Sequence, residues 1–176
     1  MEGTFELLAP PLAHADADAL AELVLDAVAG NASIGFPAGF SRGEALAFWA
    51  GVESDALAGR AMLFGSRVDG TLLGTVQLRF SSYPNGRHRA EVAKLLVHST
   101  ARRRGLGTML MRRIEAAALE AGKTLLYLDT ETDSAAEILY RRMGWNAAGS
   151  IPDFAYRPDG ALRPTTFFYR ALKREP

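Results

Sequence analysis

The spacing of apolar residues changes several times along the chain, and each change marks an element. Residues 5–8 read as a short strand. Within residues 14–28, Leu20, Val24 and Val28 recur every fourth position, a helical stripe that Gly30 closes. Residues 31–40, NASIGFPAGF, have no period and are rich in Gly, Ser and Pro, a loop. Ser41 with Glu44 forms a capping-box pattern, predicting a second helix through Phe48 and Trp49 to about residue 58. Residues 61–67 and 72–80 are strands around Asp69-Gly70, a strong hairpin signal. YPNG, residues 83–86, is a further turn, and residues 90–97 form the next strand.

Leu106, Leu110, Ile114, Ala117 and Ala121 then mark one face of a helix that Gly122 ends. Residues 124–130, TLLYLDT, are almost continuously apolar, which predicts a strand buried on both faces. Asp133 or Ser134 opens a helix that stops at Gly144. Residues 147–151 and 165–172 are strands around the turn Pro158-Asp-Gly160. The order β-α-α-β-β-β-α-β-α-β-β predicts an α/β fold: a mixed sheet with helices packed on it, in a single domain over residues 1–176.

Composition narrows the chemistry. Twenty Lys and Arg balance twenty Asp and Glu, so no nucleic-acid partner is expected and any basic cluster is local. With no cysteine, disulfides, thiolate metal sites and a cysteine nucleophile are excluded. No apolar run approaches the roughly 18 residues of a membrane span, and MEGTFELLAP lacks the basic and apolar regions of a signal peptide. The expected location is the cytoplasm.

One local cluster stands out. RRRGLGTML, residues 102–110, runs Arg102, Arg103 and Arg104 into Gly105 and Gly107 at a strand-to-helix turn. Unpaired N–H groups at a helix start, with the helix dipole, attract anions, and arginines add charged donors. No Lys follows either glycine at P-loop spacing, and Leu110 stands where a dinucleotide fingerprint needs its third glycine. What remains is R-x-x-G-x-G.

That motif, in LLVHSTARRRGLGTMLM (residues 95–111), resembles the cofactor motif of the GCN5-related N-acetyltransferase (GNAT) superfamily. AAEILYRRMGW (135–145) resembles the later A-x-x-x-Y-x-x-x-G-F/W motif, and the spacing between the two fits. HRAEVAKLLVH (88–98), GSIPDFAYRPDG (149–160) and NASIGF (31–36) are similar to the bacterial branch containing the tabtoxin-resistance acetyltransferases. The resemblance covers essentially the whole chain. It implies the GNAT acyl-CoA N-acyltransferase fold, with acetyl-CoA as cosubstrate and no metal.

The resemblance also implies site residues. Arg102, Arg103, Arg104, Gly105, Leu106, Gly107 and Thr108 would surround the pyrophosphate, and backbone amides near Leu96 and Val97 would meet the thioester and pantetheine. Tyr140 would be the general acid near the sulfur. Glu91 and Asp129 are both candidates for the general base, with His88 a third and water alone a fourth alternative. Asp133 stands where the family often has an Asn facing pantetheine, which puts that contact in doubt while leaving a helix cap available.

Acceptor specificity in such proteins comes from the loop after the first helix and from the last hairpin. Ser33, Phe36, Asp153 and Tyr156 are the acceptor candidates, with Phe40 and Phe154 as further apolar walls. The expected acceptor is a small-molecule primary amine. A homodimer is one state to test, since dimers are common in such families. The turn alone also fits a non-catalytic acyl-CoA sensor.

Overall fold

A computed structural model of the chain describes residues 3–173. Seven strands form one sheet: β1 (Thr4–Leu7), β2 (Ala61–Val68), β3 (Thr71–Phe80), β4 (Arg89–Val97), β5 (Leu125–Glu131), β6 (Asn146–Tyr156) and β7 (Leu162–Ala171). Four α-helices pack on it: α1 (His14–Ala29), α2 (Arg42–Leu57), α3 (Leu106–Glu120) and α4 (Ala135–Arg142). Their order in the chain is the one the apolar pattern predicts. The strands lie side by side as β1-β2-β3-β4-β5-β7-β6. Only β4 and β5 are parallel, because α3 carries the chain back between them.

Each face of the sheet has its own core. On one face α1 brings Leu20, Leu23 and Val24 against Leu63, Leu72 and Leu96, and α2 adds Ala45, Trp49 and Val52. On the other, Leu110, Met111 and Ile114 of α3 meet Phe64, Val76, Val92, Leu126 and Leu128, with Tyr140 of α4 among them. Alternation along β2 explains the division, since neighbours Leu63 and Phe64 enter opposite cores. Local signals hold the ends. Ser41 accepts from the Glu44 amide while the Glu44 carboxylate accepts from the Ser41 amide, a complete capping box. Asp69 and Gly70 take φ of 50° and 81°, the left-handed pair that a tight hairpin needs.

Two expectations need correction, and one pair of alternatives is decided. β5 is buried on one face only: Leu126 and Leu128 face the α3 core, whereas Tyr127 and Asp129 are open on the other side. The core formed with α1 and α2 draws on β2, β3 and β4 and includes no residue of β5. The last two strands are also longer than expected, so Phe154 and Tyr156 lie within β6. Finally, α4 is capped by Ser134, whose hydroxyl accepts from the Glu137 amide. Asp133 sits one residue earlier with φ of 62°, its own N–H donating to Glu137.

Candidate active site

The site begins where β4 and β5 part. Their parallel ladder has three pairs, Arg89↔Leu125, Ala90↔Leu126 and Glu91↔Tyr127. Past Glu91 the strands have no paired residues. A bulge in β4 accompanies the split: Thr75 of β3 faces Leu96 and Gln77 faces Ala93, so Lys94 and Leu95 together oppose the single residue Val76. Lys94 takes φ of 50°, uncommon for a non-glycine residue. The bulge reverses the parity of the strand. Ala90 and Val92 enter the α3 core, but beyond the bulge Leu95 and Val97 do so, and Leu96 turns to the α1–α2 core.

A cavity of about 260 Å³ occupies this region, lined among others by Glu91, Lys94, Asp129, Tyr140 and Ser33. Tyr140 is buried, its ring 6.0 Å from those of Trp145 and Phe168. Burial, reinforced by the negative charge of Asp129, pushes its hydroxyl pKa well above the ordinary tyrosine value, so the group holds its proton at neutral pH. Asp129 opens to the cavity, but protein crowds its carboxyl enough to raise its pKa, a rise that the Lys94 charge opposes. Glu91 pairs with Arg79 across β3 at 3.4 Å. His88 is exposed just before β4 and does not line the cavity.

Beyond β4 the chain enters the arginine-glycine turn. Asp26 of α1 organises it, accepting from the Ser99 amide at 2.9 Å, the Ser99 hydroxyl at 2.6 Å and Arg102 at 3.3 Å. Arg102 also donates to the Val97 carbonyl at 3.1 Å, so this arginine braces the turn. Arg103 and Arg104 are exposed and form no ion pair among the described residues. Gly105 begins α3 with φ of 82° and gives it no side-chain cap. The Met109 amide bonds to the Gly105 carbonyl, which leaves the N–H groups of Leu106, Gly107 and Thr108 as the unpaired first turn. A side chain at Gly105 would meet open space, whereas one at Gly107 would meet Leu139 of α4 at 3.3 Å. An open, uncapped helix start beside two free guanidinium groups fits a pyrophosphate. The Leu106 and Leu96 side chains are buried, so either residue could meet a ligand only through its backbone.

The acceptor candidates divide. Ser33 lines the cavity, and its hydroxyl donates to the Tyr156 carbonyl at 3.3 Å. Phe36 stacks on Phe40 at 4.3 Å and packs edge-on to Phe48. Asp153 is exposed with φ of 48° in a bulge of β6, and Tyr156 is exposed. Neither side chain lines the cavity. Asn31 exchanges two hydrogen bonds with Asp159, at 2.6 and 3.1 Å, and so clips the loop after α1 to the turn between β6 and β7. Buried Glu131 anchors the same hairpin by accepting from Arg157 and Arg163. Lys94, Asp26, Asn31 and Glu131 escape the sequence reading. Lys94 alone leaves a trace there, as the shift in apolar parity within AEVAKLLV.

A parallel pair of strands split by a bulge, beside an uncapped glycine turn, is the architecture of an acyl-CoA N-acyltransferase. The profile of the acetyltransferase (GNAT) family matches residues 25–145, and the chain belongs to that family. It is an N-acetyltransferase with acetyl-CoA as donor. Solved structures share the fold. An N-acetyltransferase from Staphylococcus aureus Mu50 superposes with a TM-score of 0.81 at 19% identity, over 98% of this chain and 100% of that one. The yncA structure from Salmonella typhimurium, with its cofactor acetyl-CoA, gives 0.80 at 23% identity over 100% and 97%. Ribosomal-protein-alanine N-acetyltransferase from Brucella melitensis gives 0.80 at 22% identity over 96% and 99%. Among the described residues no helix is long and apolar enough to cross a membrane.

Proposed function

We propose that the protein acetylates the primary amine of a small molecule, with Asp129 drawing off the amine proton and Tyr140 as general acid. The observation that carries this reading is the placement of a crowded carboxylate and a buried phenol on one small cavity at the parting of β4 and β5. When bound, acetyl-CoA supplies an activated thioester carbonyl. Arg103, Arg104, Gly105 and the N–H groups of Leu106, Gly107 and Thr108 would hold its pyrophosphate, with Arg102 bracing them. Backbone amides near Leu96 and Val97 would face the carbonyl oxygen. Asp133, just before α4, would be the residue to meet the pantetheine arm.

Asp129 is preferred to Glu91 as base because Glu91 already answers Arg79. A raised pKa brings a carboxylate nearer the range in which a base works at neutral pH. Tyr140, protonated throughout that range, is suited to delivering its proton to the departing sulfur. Ser33 and Phe36 would shape the acceptor end, with Asp153 and Tyr156 at its outer rim. We assign the chain to one domain acting in the cytoplasm. A second copy of the chain is the proposed partner for the open face of β5 and β7, where Tyr127 and Tyr169 stand opposite each other, both exposed.

Steady-state assays with acetyl-CoA and a panel of primary amines test the reading, with Tyr140→Phe and Asp129→Asn beside the parent. Turnover that falls about 10²–10³-fold in each, with acetyl-CoA affinity retained, supports it. A Tyr140→Phe protein that turns over normally removes the general-acid role. Acetyl-CoA binding without turnover on any amine favours a sensor.

A further inference from the structure

Resting on the small-amine reading, we propose that Lys94 is an anion-binding residue of the acceptor pocket, so that the acceptor is an amine carrying a carboxylate, of amino-acid type. The side chain projects from the β4 bulge into the cavity that holds Asp129 and Tyr140. Its ammonium lies 5.4 Å from the Phe36 ring centre and 5.6 Å from that of Phe48. Gly35, φ 91°, brings the loop after α1 against it with no side chain between: a Cβ built there would stand 3.8 Å from the nitrogen.

The ammonium is poorly satisfied. It forms no ion pair among the described residues. Asp129 and Glu91 attract it from a distance, Arg79 repels it, and burial holds its pKa below the ordinary lysine value. Two aromatic faces replace little of the hydration that a primary ammonium loses. A left-handed lysine in a bulge is unfavourable as pure scaffolding, where glycine or asparagine would fit with less strain.

A ligand carboxylate would supply the missing partner through charge-assisted hydrogen bonds. The charges on the cavity wall argue for a zwitterion. Lys94 is the one Lys or Arg on that wall; of its three carboxylates, Glu131 is held by Arg157 and Arg163 and Glu91 pairs with Arg79, which leaves Asp129 to draw the amine while Lys94 takes the negative group. A phosphate dianion would meet the same carboxylates with twice the repulsion. An amine lacking the carboxylate would leave the half-buried Lys94 without an anionic partner, a basis for rejection.

The sequence has three lysines, at positions 94, 123 and 173, so the Lys94 ε-carbon signal is assignable by NMR of lysine-labelled protein. With CoA present, a panel of L-amino acids and their α-carboxamides would be titrated against it, and the same compounds assayed as acceptors. The proposal expects amino acids, and not the matching amides, to move the Lys94 signal. It expects kcat/KM to favour the acid of a matched pair by at least about tenfold. In Lys94→Met that ratio should collapse to about one while KM for acetyl-CoA stays put, and Lys94→Arg should restore part of it. A Lys94 signal indifferent to every acid, or moved equally by acids and amides, overturns the proposal. So does an equal loss on both members of each pair in Lys94→Met. Turnover on uncharged amines without acid preference would sink this inference and leave the small-amine reading intact. A Lys94 response without turnover would do the reverse.

Discussion

At the scale of single residues, the proposed base is a carboxylate that is held protonated more readily than usual. Asp129 must be ionised to accept a proton, and crowding raises its pKa. Activity is therefore lost as pH falls through that raised value, and the acid limb of kcat/KM should lie above the ordinary aspartate range. The positive charge of Lys94 opposes the rise, so Lys94→Met, assayed with an uncharged amine, should move the limb to higher pH. Asp129→Asn should remove it along with most of the rate. The same raised pKa means that the fold disfavours the ionised form. Asp129→Asn should accordingly raise Tm slightly at neutral pH, and the gain should vanish as pH drops below the unfolded pKa. Thermal melts across pH check the sign.

At the scale of elements, the two glycines of the turn have different tasks. Gly105 supplies a left-handed backbone and an open face. Gly105→Ala should cost about 1 kcal/mol and raise KM for acetyl-CoA. Gly107 packs toward Leu139 one residue before Tyr140, so Gly107→Val should push on α4 and lower kcat more than it raises that KM. Losing the α4 cap in Ser134→Ala should cost about 1 kcal/mol in a melt. These elements were legible from the sequence because their signals are local: a helical stripe, a capping box, a Gly just past a helix end. The open face of β5 was not. An apolar run reads alike whether one face is covered or both, and coverage depends on where α1 and α2 lie. Asp26 and Asn31 were invisible for a related reason, since their partners lie 73 and 128 positions away.

At the scale of the whole molecule, distant segments close the proposed acceptor end. The Asn31–Asp159 clip is exposed, so Asp159→Ala should change stability by less than about 1 kcal/mol. It should raise KM for the amine several-fold and leave KM for acetyl-CoA unmoved, a split that steady-state kinetics would read directly. Glu131 is different in kind. It is buried between two arginines, and Glu131→Gln should cost about 2 kcal/mol by weakening charged hydrogen bonds. Sedimentation velocity would test the second copy proposed for the open face, with a Tyr169→Asp protein expected to run as a monomer.

The three-pair ladder between β4 and β5 has a further consequence, in time rather than in space. Backbone groups on that edge of β4 beyond Glu91 lack the neighbouring strand that slows isotope exchange elsewhere in a sheet. Deuterium should therefore enter early at those amides of residues 92–97 that face away from β3, while Ala90 and Leu126, paired and buried, stay protected. Adding acetyl-CoA should slow uptake in that stretch of β4 and hardly affect β2. The seam would then be the most responsive part of the sheet, loose in isolation and firm once the donor lies along it.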